Sequence, residues 1–353
     1  MIRPRPRRDR WRATLRPLSW IYAGVLRARN ARYDRPGASR AAGVPVISIG
    51  NITLGGTGKT PLVIEVVRRL AALGRRPAIL TRGYGTPRGR VSDEVQEFHA
   101  AVPDVPVVVQ PDRVAGAAAA RAQHGADVLV LDDGFQHRRL RRDFDIVLID
   151  ALDPWGGETT LPTGRLREPL DGLRRAQLVV ITRANQVTAE ALEQVDARLA
   201  ILAPAAARLR ADVVPTSVVD ADGRAAEPTT LAGRVVQPVC ALGNPTTFVQ
   251  VLETLGARPR QVIAFRDHHW YTADEARVLA AAAAARTAEL VVTTRKDWGK
   301  LWPVWRRPAQ SGGSSRSESP PGAPPLVRLE VRTELRDPAD ALGAALRRAI
   351  GVA

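Results

Sequence analysis

An α/β protein wound around a mainly parallel sheet is the fold that this chain predicts, on three observations. Apolar runs of strand length recur along it: PVISIGN, AILTRGY, VPVVVQ, DVLVLDD, DIVLIDA and LVVITRAN. Helical stretches over 112–124 and 188–201 separate several of these runs, and such alternation winds a parallel sheet with helices on both faces. The first run feeds a glycine-rich loop and then a helix over 59–73, whose Val63, Val66, Val67 and Leu70 share one side.

Seven arginines fall among the first sixteen residues, just before the apolar stretch PLSWIYAGVL, 17–26. That stretch is too short to cross a bilayer, which takes about 20 apolar residues. As a helix it sets Leu18, Ile21 or Tyr22, and Val25 on one face, with Trp20 and Tyr22 suited to a water–lipid boundary and Arg27 and Arg29 following. Residues 1–38 therefore read as a basic amphipathic segment lying on an anionic membrane surface. A basic tail before an ordinary packed helix is one alternative. A signal peptide is another, opposed by the lack of a clean cleavage site and by the nucleotide loop that follows.

Residues 39–212 make the main domain. After Asp212 the texture turns polar, and then VVQPVCALG, VIAFRDHH, an alanine-rich helix over 273–286, LVVTTRKD and LVRLEVRTEL build a smaller α/β domain over 213–353. Within it, 307–325 lacks apolar periodicity and reads as a disordered insertion.

The loop TLGGTGKT comprises Thr53, Leu54, Gly55, Gly56, Thr57, Gly58, Lys59 and Thr60. A strand feeding a glycine-rich turn and a helix that starts at GKT aims backbone N–H groups at phosphates, which makes this a P-loop for a nucleoside triphosphate. Lys59 would neutralise β- and γ-phosphate charge, and the Thr60 hydroxyl would take one Mg²⁺ position. The strict pattern has glycine where Thr53 stands. Further on, LVLDDG sets Asp132 and Asp133 at the end of an apolar strand, at the ligand edge of a parallel sheet, where two adjacent carboxylates need a cation. With the P-loop they read as an acidic pair that orients Mg²⁺ directly or through water.

PVISIGNITLGGTGKTP, TRGYG, DDGFQHRRL, LPTGRLREP, ALGNP, DHHWYT and TRKD occur in that order. Together they resemble the tetraacyldisaccharide 4′-kinases, the lipid A 4′-kinases, over most of the chain from about Pro17. The resemblance implies ATP and Mg²⁺ as cosubstrate and cofactor, and a lipid A disaccharide 1-phosphate as acceptor. It also implies work at the cytoplasmic face of the inner membrane, with no obligate protein partner expected.

Asp93, in SDE, corresponds to the family's catalytic carboxylate in a GDE motif, with Ser92 in place of glycine. His268 of DHH corresponds to its partner histidine, with adjacent His269 as the competitor. Glu168 of LREP matches an acidic residue near metal and nucleotide, and Arg167 would offset phosphate charge. Arg82, His137, Arg138 and Arg139 are candidates for the cleft or for the sugar phosphate, or else a solvated basic face. Lys296 and Asp297 end a strand where a nucleotide contact is one reading.

The formal charge of +16 calls for an anionic partner: nucleic acid, membrane or phosphorylated substrate. A nucleic-acid-associated NTPase is opposed by the 5% aromatic content and by the absence of a recognisable RNA- or DNA-binding module. A GTP-dependent switch lacks an NKxD guanine-reading motif. The single cysteine, Cys240, excludes an internal disulfide or a cysteine metal cluster.

Overall fold

The computed structural model describes residues 8–83, 92–266, 269–306, 322–337 and 339–351, with side chains for all of these except 8–13 and 93. Its elements in chain order are α1 (Arg8–Tyr33), β1 (Val46–Asn51), α2 (Lys59–Ala72), β2 (Pro77–Thr81), α3 (Asp93–Ala101), β3 (Val107–Val109), α4 (Arg113–His124), β4 (Val128–Asp132) and β5 (Phe144–Asp150). There follow β6 (Leu178–Thr182), α5 (Ala189–Leu202), β7 (Ala207–Val219), β8 (Ala225–Ala226), β9 (Val235–Cys240), α6 (Pro245–Thr254), β10 (Arg258–Pro259) and β11 (Ile263–Ala264). The last are α7 (Ala273–Ala285), β12 (Leu290–Thr294), α8 (Arg295–Trp305), β13 (Leu326–Arg336) and α9 (Ala341–Ala349). Two compact units result, one of 1–212 with 333–353 and one of 213–332.

In the first unit the strands run parallel in the order β3-β2-β4-β1-β5-β6-β7. Alternate residues of each strand feed opposite faces. Ile47, Ile49, Val130 and Leu148 pack with Val63, Val67 and Leu70 of α2 on one face. On the other, Val147, Ile149, Val179 and Ile181 meet Leu192, Val195 and Leu199 of α5, while Leu129 and Leu131 meet Ala117 and Ala120 of α4. Both faces are therefore covered, which is why the strands are apolar throughout rather than alternating. The chain leaves β1 towards β2 and leaves β4 towards β5. Adjacent strands whose connections depart in opposite directions open a crevice at their carboxyl ends, where ligands bind in such sheets.

The second unit has parallel strands in the order β10-β9-β12-β13, with β11 also on β9. Helices α7 and α8 cover one face through Leu279, Ala283, Leu301 and Trp305, and α6 covers the other through Phe248 and Leu252.

Three expectations change. By sequence the carboxyl-terminal stretch belongs to the smaller domain, yet 333–353 groups with the first unit, because Leu342, Ala345, Leu346 and Ile350 join the core beside α2. The helix expected over the apolar stretch runs through Pro17 and spans 26 residues. Helix α3 had no counterpart in the sequence reading. Of the insertion 307–325, residues 307–321 lie outside the described residues. No described helix is long and apolar enough to cross a membrane.

Candidate nucleotide and phosphoryl-transfer site

Gly58, in the left-handed region at φ 84°, is the N-cap of α2 and contributes no side-chain hydrogen bond to the helix end. The first turn of α2 holds no acidic residue. Its amides and the positive end of the helix dipole are thus turned to whatever anion enters the loop. Gly55, at φ 124°, makes the other sharp bend. Thr53 is tolerated in place of glycine because its backbone is not left-handed and pairs antiparallel with Leu166.

The segment 161–169 splints the loop. The Leu54 amide donates to the Arg165 carbonyl at 2.7 Å, and the Arg167 amide donates to the Ile52 carbonyl at 2.7 Å. The Arg165 guanidinium returns two bonds to the Leu54 carbonyl, at 3.2 and 2.9 Å. From the end of β6, Arg183 donates to the Gly56 carbonyl at 2.7 Å and pairs with Asp150.

Behind the loop, Lys59 Nζ lies 3.2 Å from Asn51 Oδ1 and 3.4 Å from Asp133 Oδ1. Arg167 grips Asp133 with two bonds, of 2.5 and 2.7 Å, and also donates to Asn51 Oδ1 at 3.2 Å. Burial alone would raise the Asp133 pKa, but the hydrogen bonds and charges of Arg167 and Lys59 outweigh it and bring it to about 2. Asp132 has the opposite balance. Almost wholly buried, its pKa is pushed up to about 7 by desolvation, with Glu94 and Asp133 adding like charge and Lys59 opposing. Thr81 donates to its Oδ2 at 3.1 Å.

A hard cation suits this donor set, because Asp132 is a buried carboxylate under-compensated by the protein while Asp133 already has two cations. The register of β1 on β4 pairs Ile49 with Asp132 and so brings the carboxylate to the strand that feeds Lys59 and Thr60. Protonation of Asp132 favours the folded protein, since its folded pKa lies above the ordinary 3.8. Its contribution is lost as pH rises from about 4 to about 7. Asp132→Asn, without nucleotide and in EDTA, is therefore expected to be more stable than wild type at pH 8, by on the order of 2 kcal/mol. The two proteins should converge at pH 4, and urea denaturation at both pH values reads the difference.

Other expected site residues are engaged elsewhere. Glu168 is fully buried and accepts from Asn30 at 3.2 Å, Gln136 at 2.9 Å and Arg175 at 2.7 Å. That enclosure makes it the tie between α1 and the LREP segment rather than an open metal ligand. Arg138 does not line the crevice: it donates to the Asn30 carbonyl and to Asp34, at 3.0 and 2.7 Å, and holds the end of α1. Arg139 pairs with exposed Asp112, and Arg167 serves the acidic pair. Arg82 is exposed, and its charge acts on His137 and on buried Arg113, whose guanidinium donates to the Asp132 carbonyl at 3.3 Å. Burial, then Arg113, Arg82 and Arg142, lower the His137 pKa to about 4, so it is neutral at neutral pH.

Ser92 caps α3, its hydroxyl accepting from the Val95 amide at 3.3 Å with φ −64° and ψ 151°. Serine is favoured at that position, so its replacement of glycine needs no strain. Asp93 follows as the first helical residue, with its side chain outside the described set. Asp267 and His268 also lie outside the described residues. His269 turns to Glu275, 3.1 Å away, and stacks on Phe265 with ring centroids 4.6 Å apart. Asp297 is buried, accepting from the Ala241 amide at 3.0 Å and the Thr294 hydroxyl at 2.8 Å, and so ties α8 to β9. Asn51, Gln136, Arg165 and Arg183 were missed, although Arg183 does follow an apolar strand directly.

An uncapped helix start with a lysine at its mouth, beside an acidic strand end at a sheet's switch point, defines a P-loop nucleotide-binding protein of the α/β class. Comparison with known proteins narrows this. The family model described as "Tetraacyldisaccharide-1-P 4'-kinase" matches residues 11–348. A tetraacyldisaccharide 4′-kinase of Anaeromyxobacter dehalogenans is 40% identical, over 90% of this chain and 85% of the relative. One from Syntrophus aciditrophicus is 39% identical, over 85% and 88%. The crystal structure of LpxK from Aquifex aeolicus in complex with ATP superposes with a TM-score of 0.64 at 26% identity, covering 96% of this chain and 99% of that one. The chain belongs to the tetraacyldisaccharide-1-P 4′-kinase family.

Proposed function

We propose that this protein transfers the γ-phosphoryl group of ATP to the 4′-hydroxyl of a tetraacyldisaccharide 1-phosphate, giving the 1,4′-bisphosphorylated lipid A precursor. The observation that carries the reading is the uncapped start of α2 with Lys59, set beside Asp133 and Asp132 at the switch point of the sheet. Family membership supplies the acceptor.

The loop amides and Lys59 hold the β- and γ-phosphates. Thr60 and Asp132, with Asp133 behind them, are the residues that would hold Mg²⁺, which would supply positive charge to offset that of the phosphates. The acceptor oxygen bonds to the γ-phosphorus as the β–γ bridging P–O bond breaks, ADP leaves, and the hydroxyl proton passes to Asp93. The charge of Glu94 is felt at Asp132, which supports a place for the start of α3 at the crevice. His268 shares or orients that proton in this reading, and the engagement of His269 with Glu275 favours His268 over its neighbour.

The acceptor is a lipid, and α1 is built to meet one. Ser19, Ala23, Leu26 and Asn30 are buried against the protein, with Ser19 Oγ 2.7 Å from Thr163 Oγ1, so the small and polar face docks inward. Leu18, Ile21 and Val25 stand outward, each more than half exposed, with Trp20 at 68%. An apolar stripe flanked by arginines supports peripheral binding at the cytoplasmic face of the inner membrane. Ile21→Glu with Val25→Glu is expected to lower partition onto anionic liposomes about tenfold or more without loss of folding; unchanged sedimentation would refute the membrane role of α1. The reaction itself is tested with γ-labelled ATP, Mg²⁺ and tetraacyldisaccharide 1-phosphate in detergent. Labelled bisphosphorylated lipid supports it, whereas release of free phosphate alone leaves only an ATPase.

A further inference from the structure

Helix α1 and the segment 158–171 enclose a groove of about 420 Å³ that shares no lining residue with the phosphate loop or the acidic pair. Its volume lies within the range of ligand pockets, roughly 300 to 1,000 Å³. Arg16, Trp20, Ala23 and Arg27, spaced three or four apart, set one flank of α1 along it. Thr159, Thr163 and Leu170 face them from the segment.

Charge, lining and position together select an occupant. Arg27 pairs with Asp171 at 3.2 Å, and Glu158 is held by Arg198, so these charges cancel within the protein. Arg16 is exposed and has no hydrogen bond or ion pair among the described residues, which leaves the groove one cation in excess. Hydroxyls run along the floor: Thr163 Oγ1 stands 2.7 Å from Ser19 Oγ and donates to Thr159 Oγ1 at 3.2 Å. A hydrocarbon chain laid there would desolvate a cation and hydroxyls without pairing them, whereas an anionic, hydroxylated group meets both. Trp20 lines the groove and, 68% exposed, also stands beside the outward residues of α1. The groove therefore opens where that helix would meet a bilayer, at the depth that tryptophan favours.

We infer that this groove seats the phosphodiester headgroup of an anionic bilayer phospholipid, with the phosphate on Arg16 and the chains leaving past Trp20. The inference rests on the membrane reading of α1. It adds a saturable site that recognises a headgroup, beyond the attraction of a basic helix to a charged surface.

Native mass spectrometry of the full chain released from an uncharged detergent, titrated with phosphatidylglycerol, is expected to show one tightly held lipid. Arg16→Glu should weaken its binding about tenfold or more. Arg35→Glu, the same charge change on an exposed residue outside the groove, should leave it within about twofold. Equal losses in the two variants would reduce the effect to diffuse surface charge and overturn the site. Glycerophosphoglycerol binding as tightly as the lipid would also overturn it, by making the groove a site for a free anion. Displacement of the lipid by tetraacyldisaccharide 1-phosphate would do the same, by giving the groove to the acceptor. Wild-type protein that sediments with phosphatidylglycerol vesicles but holds no lipid in the titration overturns the groove alone; protein that does neither takes the membrane reading of α1 with it.

Discussion

Lys59→Ala is expected to lower phosphoryl transfer by about 10³-fold or more, a loss typical of removing a preorganised cation from transferring phosphate. The geometry explains why the effect should fall on transfer and not on folding. Lys59 bridges Asn51 Oδ1 and Asp133 at 3.2 and 3.4 Å, but Arg167 holds both partners independently. Removing the lysine therefore leaves Asp133 held by Arg167, while Asp132, losing a cation that opposes its raised pKa, takes up a proton more readily, and the cost in stability should stay within about 1 kcal/mol. The arginine is committed by its two-pronged grip on Asp133 and cannot stand in at the phosphates. Single-turnover transfer from γ-labelled ATP, together with a thermal melt, checks both halves. A folded variant that keeps transfer within tenfold of wild type would remove Lys59 from the reaction.

The contrast between Lys59 and Arg167 also shows where sequence reading reached its limit. Chemistry carried by neighbours along the chain was legible. The loop 53–60, the strand ending in Asp132 and Asp133, and the apolar side of α2 each depend on residues within about one element, and hydrophobic period and glycine placement report these. The work of Arg138, Arg167 and Glu168 is decided by partners far away in sequence. Arg138 and Glu168 reach back to α1, and Arg167 reaches across to Asp133. A cation in a phosphate-rich motif looks alike whether it meets phosphate or a carboxylate, and only the packed chain tells them apart.

Helix α3 escaped notice for a local reason. Its nine residues give about two and a half turns, too few for a clear period. By pattern alone, its serine N-cap reads as a departure from a glycine motif rather than as a helix start. At the other end of the chain, the return of α9 to the first unit depends on an apolar face that fits either unit by pattern alone.

Asp93→Asn is expected to lower kcat by about 10²- to 10³-fold, the range for removing a general base, while the KM for ATP stays within about twofold. The position supports that split. Asp93 is the first residue of α3. Ser92 supplies the cap, so asparagine at 93 keeps the helix start and its hydrogen bond to Val95. The loop amides, Lys59 and the acidic pair lie on other elements, and ATP should bind as before. A sugar hydroxyl is far too weak an acid to lose its proton unaided at neutral pH, so a base in the proposed role would act as the P–O bond forms and not while ATP binds. Steady-state kinetics with the lipid acceptor, read with ATP titration, tests this. Near-normal kcat would exclude Asp93 as the base. A large rise in the KM for ATP at unchanged kcat would make it a nucleotide-binding residue instead, and acceptor activation would have to come from another group near the crevice.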